Sequence, residues 1–403
     1  MTDNGRPIFA CESSLPNNQF STQPNQMNFQ NILLVASGQP DPNMLYATGL
    51  ITPGPAIYFR HQGRCYCVLS DNEIGRSSEL APNCSPISLI RCMRRIQREQ
   101  GNPPTIARVI HLLAKERRIK KFIVPETFPY GLAKDLRKLK LRLKVRPGPL
   151  FFAEREFKSP DEVKKVSASI MMAEVGMAEA IQALKNSKIG KDAKLVHRGL
   201  PFTAERLRSI IDTAVFQAGG LPNQTIVACG RQSFDFQKCG AGPLRANRPV
   251  VIRVLVRSQK TGYHGVITRT FVKGHASEPL RRMHETVRSA QDLAINTLHA
   301  GTMASDVHLI VQKHFEQAGY RTSRSGKHCA GFLHDTGNGL GLEISEPPAI
   351  NAENQSALRP GHVVAIGPGL YYPQIGGVRL EDVLVITNNG PHNLTRFEKT
   401  LEV

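Results

Sequence analysis

The sequence predicts a two-domain α+β protein, with a smaller α/β domain first and a larger domain of helix pairs and strands after it. Three observations carry this. Strand-like and helix-like runs alternate up to about Pro147, a strong helix start stands at Ser159-Pro160, and beyond it the order helix, helix, strands occurs twice. The expected layout is a flexible polar tail over 1–28, the α/β domain over 29–150 and the larger domain over 151–403.

In the first domain, "NILLVASG" and "AIYFRHQGRCYCVLSD" read as strands separated by Gly/Pro turns. A basic helix near 86–100, a second helix in "TIARVIHLLAKERRI" and a strand in "KFIVPE" follow. "KLKLRLKVRPG" alternates basic and apolar residues with period two, as a half-buried strand with lysines on its wet face does. In the second domain Ser159 suits an N-cap and Pro160 the first helical position, while Asp161 and Glu162 favour the positive end of the helix dipole. Val163, Val166, Ile170, Met177, Ile181 and Leu184 then mark one apolar face. "TAERLRSIIDTAVFQAGG" reads as a helix closed by glycines. Strands are expected at "QTIVACG", "RPVVIRVLVRS" and "TGYHGVITRTFVKG". Two more helices, in "SEPLRRMHETVRSAQDLAINTLHAG" and "ASDVHLIVQKHFEQAGY", precede strands at "GHVVAIGPGLYYP" and "GGVRLEDVLVITNNG".

Composition excludes several classes. No apolar run approaches the roughly 20 residues that cross a bilayer, and the N-terminus lacks the basic-then-apolar pattern of a signal peptide. Eight cysteines include no Cys-x-x-Cys pair, which argues for buried thiols in a reducing cytoplasm over a zinc ribbon or redox motif. The formal net charge of +19 is unevenly spread: from Arg91 to Arg146 there are 17 Lys and Arg against 4 Asp and Glu. Such a window fits a solvated basic face, or a surface for nucleic acid or another anionic partner.

The stretch "GFLHDTGNGLGLEISEPPAI" (331–350) does not suit a phosphate loop, because a proline pair follows where the anion-binding helix should start. The alternation in "GLGLEIS" reads as a strand whose glycines let another backbone or a ligand approach closely. With "TGYHGVITRTFVKG", "VVAIGPGLYYP" and "GGVRLEDVLVITNNG", the segment "HDTGNGLGLEISEPP" falls in the order of four signatures. They resemble those of the methionine aminopeptidase, aminopeptidase P, prolidase and creatinase superfamily, and are most similar to its bacterial Xaa-Pro peptidase branch. The resemblance covers about 158–403, and "PDPNMLYATGL" with the strands after it looks like that branch's N-terminal domain. It implies a pita-bread fold for the second domain, a creatinase-type N-terminal domain and a homodimer.

The resemblance also implies a centre of two zinc, manganese or cobalt ions held by two Asp, one His and two Glu. At the matching positions this chain has Asn338 for the histidine, Gly367 for the first glutamate and Val266 for the second aspartate. The first aspartate matches Arg253, with Leu255 the other candidate; no Asp or Glu occurs from Phe236 through Ser277 in any register. Glu381 alone remains of the five. The family's two further histidines fall at Gln237 and Ser345, whereas His334 and Arg379 match family positions. Arginine cannot lose its proton, valine and glycine offer no donor, and one carboxylate cannot confine two dications.

The sequence therefore points to a catalytically inactive, metal-free homologue that binds a peptide or an acidic protein. An active peptidase with an atypical site, and metal-free hydrolysis of the creatinase type with His264 as acid–base, are the alternatives. If Arg253 holds a ligand position, its guanidinium should pair with Glu381 in place of a metal.

Overall fold

The computed structural model describes residues 30–36, 41–51, 54–101, 103–324 and 329–403; the tail expected over 1–28 lies outside them. The first domain runs β1 (Ile32–Ala36), α1 (Pro42–Thr48), β2 (Ala56–His61), β3 (Arg64–Leu69), α2 (Asp71–Leu80), β4 (Cys84–Ser88), α3 (Leu89–Gln100), α4 (Ile106–Glu116), β5 (Lys121–Pro125), α5 (Tyr130–Lys138) and β6 (Arg142–Arg146). These strands form one mixed sheet, β4-β3-β2-β1-β5-β6, in which β1–β2 and β2–β3 are antiparallel and the other pairs parallel. One face packs Leu33, Phe59 and Phe122 against Ile96, Ile110 and Leu113 of α3 and α4; the other covers Ile32, Leu34 and Tyr58 with Met44 of α1, Phe151 and Phe152. Both faces are thus dry, which explains the continuous apolar runs of β1 and β2.

Helices α1, α2 and α5 were not legible, and the basic helix starts at Leu89 because Cys84–Ser88 pairs with β3 as a strand. The Ser88 hydroxyl caps that helix by accepting from the Arg91 N–H at 3.0 Å. In "KLKLRLKVRPG" only Arg142–Arg146 is strand, since α5 runs to Lys138 and Lys140 turns the chain with φ +62°.

The second domain begins with α6 (Pro160–Lys185), with Ser159 as the N-cap that the sequence suggested; Ser159 and Glu162 form a reciprocal capping box. Short strands β7 (Lys188–Ile189), β8 (Leu195–His197) and β9 (Leu200–Pro201) lead to α7 (Ala204–Gln217), β10 (Gly220–Pro222) and β11 (Ile226–Cys229). The long hairpin of β12 (Val250–Ser258) and β13 (His264–Phe271) follows. Next come α8 (Glu278–Thr297), α9 (Ala304–Gln317), β14 (Gly337–Gly339), β15 (Glu346–Ile350), β16 (Val363–Ile366), β17 (Gly369–Tyr372), β18 (Gly376–Arg379), β19 (Asp382–Thr387) and β20 (Gly390–Asn393). Helices α6 and α7 cover the sheet built on β10-β12-β11, and α8 and α9 cover the sheet β15-β14-β16-β19-β20. The order helix, helix, strands is thus present twice, as the sequence suggested.

The two sheets meet where Thr268 of β13 and Glu381 form an antiparallel bridge, with Glu381 N–H to Thr268 O at 3.0 Å. "GLGLEIS" is not a strand beyond Gly339; residues 341–345 form a run of bends. Its glycines do serve close approach: a Cβ on Gly339 would lie 2.3 Å from the Pro347 carbonyl oxygen, and one on Gly341 2.6 Å from the Glu346 carboxylate.

Candidate functional site

The junction of the two sheets is where the sequence placed its site. Arg253 and Leu255 alternate on one face of β12, and Val266 and Thr268 on the facing side of β13. The register sets Arg253 opposite Thr268 and Leu255 opposite Val266. Glu381 enters from the β18–β19 turn, buried to 1 % side-chain exposure. Its Oε2 accepts from Arg253 Nε at 3.1 Å and from the Thr268 hydroxyl, and its Oε1 from Arg379 Nη2 at 2.8 Å. The expected pairing of Arg253 with Glu381 is therefore present.

Burial pushes the Glu381 carboxyl up, but Arg253 and Arg379 together with the Thr268 hydrogen bond outweigh it and hold it down at about 2. A carboxyl depressed in the folded state contributes stability that is complete above its unfolded value and lost as pH falls toward the folded one. From 4.5 to about 2, at about 1.4 kcal/mol per unit, the contribution is on the order of 3 kcal/mol. The urea midpoint gap between the wild type and Glu381→Gln should close as pH drops from about 5 to 2.5; a gap independent of pH would contradict this.

His334 is half-buried beside this clamp. Its Nδ1 lies 2.8 Å from the Asp335 carbonyl oxygen and so donates, which leaves Nε2 to accept from the Tyr371 hydroxyl at 2.9 Å. Desolvation first, then the charge of Arg379, lower its pKa to about 3, so the ring is neutral with both nitrogens engaged. Phe236 packs at 5.2 Å from the His334 ring and 5.5 Å from that of Tyr371. Between Phe236, Ser233, Arg253, Thr268, Tyr371 and Arg379 remains a cavity of about 10 Å³, room for roughly one water.

The other named positions divide. Val266 is buried among Leu255, Leu340, Val363 and Ala365, an apolar patch directly beside the clamp. Gly367 abuts Glu381: a Cβ there would lie 2.8 Å from Glu381 Cγ. Asn338 donates its amide to the carbonyls of Gly339 at 2.8 Å and Ile344 at 2.9 Å. Gln237 and Ser345 are exposed. His264 is buried with its Nδ1 3.3 Å from the Gly341 carbonyl oxygen.

These donors do not suit a dication. Both Glu381 oxygens are already taken, and two guanidiniums occupy the space where positive charge would be neutralised. Among the described residues no three His, Cys, Asp or Glu side chains come together as a metal-holding group.

Two charged networks went unforeseen. Arg269, 1 % exposed, places its donors on Asp382 Oδ1 (2.7 Å) and on the carbonyls of Thr268, Glu381, Phe397 and Glu398. Glu346 is held by Arg155 at 2.6 Å and Lys158 at 2.8 Å; Arg155 also reaches Glu343 and, in the first domain, Asn43 at 2.9 Å. A charged residue inside an apolar strand run, as in "VITRTF", was the available signal for the first, since such a charge must find a partner.

The profile of metallopeptidase family M24 matches residues 164–388. An Xaa-Pro dipeptidase of Pyrococcus horikoshii is 28% identical over 285 residues, 70% of this chain and 75% of that protein. Among solved structures, an Xaa-Pro dipeptidase from Bacillus anthracis superposes with a TM-score of 0.76 at 20% identity, covering 93% of this chain and 95% of that one. An X-Pro aminopeptidase from Thermotoga maritima does so with 0.77 at 18% identity, covering 93% and 98%. The fold is thus the pita-bread fold, with a smaller α/β domain before it. Among the described residues no helix is long and apolar enough to cross a membrane.

Proposed function

The chain belongs to metallopeptidase family M24, and we propose that within it this protein is a metal-free, catalytically inactive homologue of the Xaa-Pro peptidases. Its cleft serves to bind a peptide or a protein, and it works as a cytoplasmic homodimer. The observation that carries this reading is the Arg253–Glu381–Arg379 clamp. The carboxylate that the resemblance leaves at the metal centre has guanidinium partners on both oxygens, so charge neutralisation there needs no ion.

The cross-strand register favours Leu255 over Arg253 as the counterpart of the first aspartate. Two carboxylates that share a metal need to face one another, and Leu255 lies directly opposite Val266. Arg253, one step along the same face, then acts as an added counter-charge. His264 has no role in this reading, because its ring is engaged with Gly341 and its pKa is lowered chiefly by desolvation.

The test is elemental analysis of the purified protein together with release of proline from an Xaa-Pro dipeptide in zinc, manganese or cobalt. Expected are well under one ion per chain and no release above the protein-free control. Turnover that scales with about two bound ions per chain would overturn the proposal.

A further inference from the structure

The surplus positive charge collects at one end of the first sheet. Strand β6 is the outer strand there, and among the described residues it pairs only with β5. Between β6, the first residue of β5 and the end of α5 runs a groove of about 510 Å³. Lys121, Arg137, Lys140, Arg142 and Lys144 line it, all exposed, together with Leu141 and Leu143. Among the described residues no acidic side chain lines it; Asp135 is paired with Lys138 at 3.2 Å. None of the five cations makes an ion pair among the described residues.

Lysine and arginine on an outer strand commonly guard against edge-to-edge association. That role accounts for Arg142 and Lys144. It does not account for Lys121, which lies on the neighbouring strand, nor for Arg137 and Lys140 on the helix end and the turn. Five unpaired like charges around one concavity repel each other, and the arrangement is relieved by a polyanion that follows the groove. Among the described residues no aromatic side chain lines it, so a partner held by base stacking is disfavoured and one of high linear charge density is favoured.

We propose that this groove binds the phosphate backbone of double-stranded nucleic acid, without reading its sequence. Each of the five cations takes the place of a counterion on a phosphate. The surface is separate from the Glu381 cleft and does not depend on the function proposed for it.

The experiment is fluorescence anisotropy on the full chain with a labelled 20-base-pair DNA duplex, the same sequence as a single strand, and poly-glutamate of matched length. For about five phosphate contacts the slope of log K against log salt is about −4.5, so duplex affinity should fall about 500-fold between 50 and 200 mM salt. Changing Lys121, Arg137, Lys140, Arg142 and Lys144 together to Gln should abolish duplex binding. A second variant with the same net charge, in which Lys188, Lys191, Lys194, Arg198 and Lys313 become Gln, should retain it. Matching circular dichroism melts establish that both variants fold. Equal loss in the two variants overturns the proposal, as does tighter binding of the single strand or of poly-glutamate than of the duplex. Absence of duplex binding by the wild type at 50 mM salt overturns it too.

Discussion

Replacing Arg269 with methionine should destabilise the protein by about 4 kcal/mol or more, the largest loss expected of any single substitution here. The guanidinium is buried to 1 % exposure and ties the β13 strand to the β18–β19 turn and to the 397–398 segment in one step. Removing it leaves Asp382, itself 1 % exposed, with Lys399 at 3.3 Å and Asn393 at 3.4 Å among the described residues, and leaves four carbonyls without this donor. Asp382→Asn should cost markedly less, because those four carbonyls still hold the guanidinium. Urea denaturation of both variants checks the ordering. A methionine variant within about 1 kcal/mol of wild type would mean that Arg269 is no keystone.

The second large effect is a gain. Leu255→Asp, Val266→Asp, Asn338→His and Gly367→Glu, combined with Arg253→Ala, should create uptake of two manganese or cobalt ions measurable by calorimetry. Arg253→Ala belongs in the set because Glu381 cannot turn toward a metal while clamped, and because a side chain at 367 presses on Glu381. Gly367→Glu alone should therefore bind nothing and lose about 1–3 kcal/mol of stability. A parallel set with Arg253→Asp, leaving Leu255 in place, separates the two candidates for the first aspartate. Hydrolysis in either set should stay weak, since Gln237 and Ser345 remain where the resemblance implies histidines. Metal uptake by the first set made without Arg253→Ala, so that Arg253 stays in place, would count against the clamp as the obstacle.

Most of the second domain was legible because its helices carry long amphipathic stripes and explicit caps, as at Ser159, and its central strands are apolar throughout. Helices α1, α2 and α5 escaped for a physical reason. They span seven to ten residues, too short for a 3.6-residue period to stand out, and tertiary packing stabilises them. At the site, the proximity of Arg253 to Glu381 was expected from setting Arg253 at a ligand position; one step from Leu255 along the same face, it is near enough to pair. The roles of Thr268 and Tyr371 did not, because a hydroxyl in a strand carries no mark of which carboxylate or imidazole it will face. Asn338 illustrates the same limit, since its bonds to Gly339 and Ile344 depend on the bends at 341–345.

Arg155 has a consequence for how the chain comes to be made. Its partners Asn43 and Glu346 stand 112 residues before it and 191 after it. At a ribosomal pace of about 5–20 residues per second, roughly 10–40 s separate the emergence of the arginine from that of the glutamate. Throughout that interval the Arg155 guanidinium stays hydrated where the finished protein has it dry, so the seam between the domains is among the last parts to close.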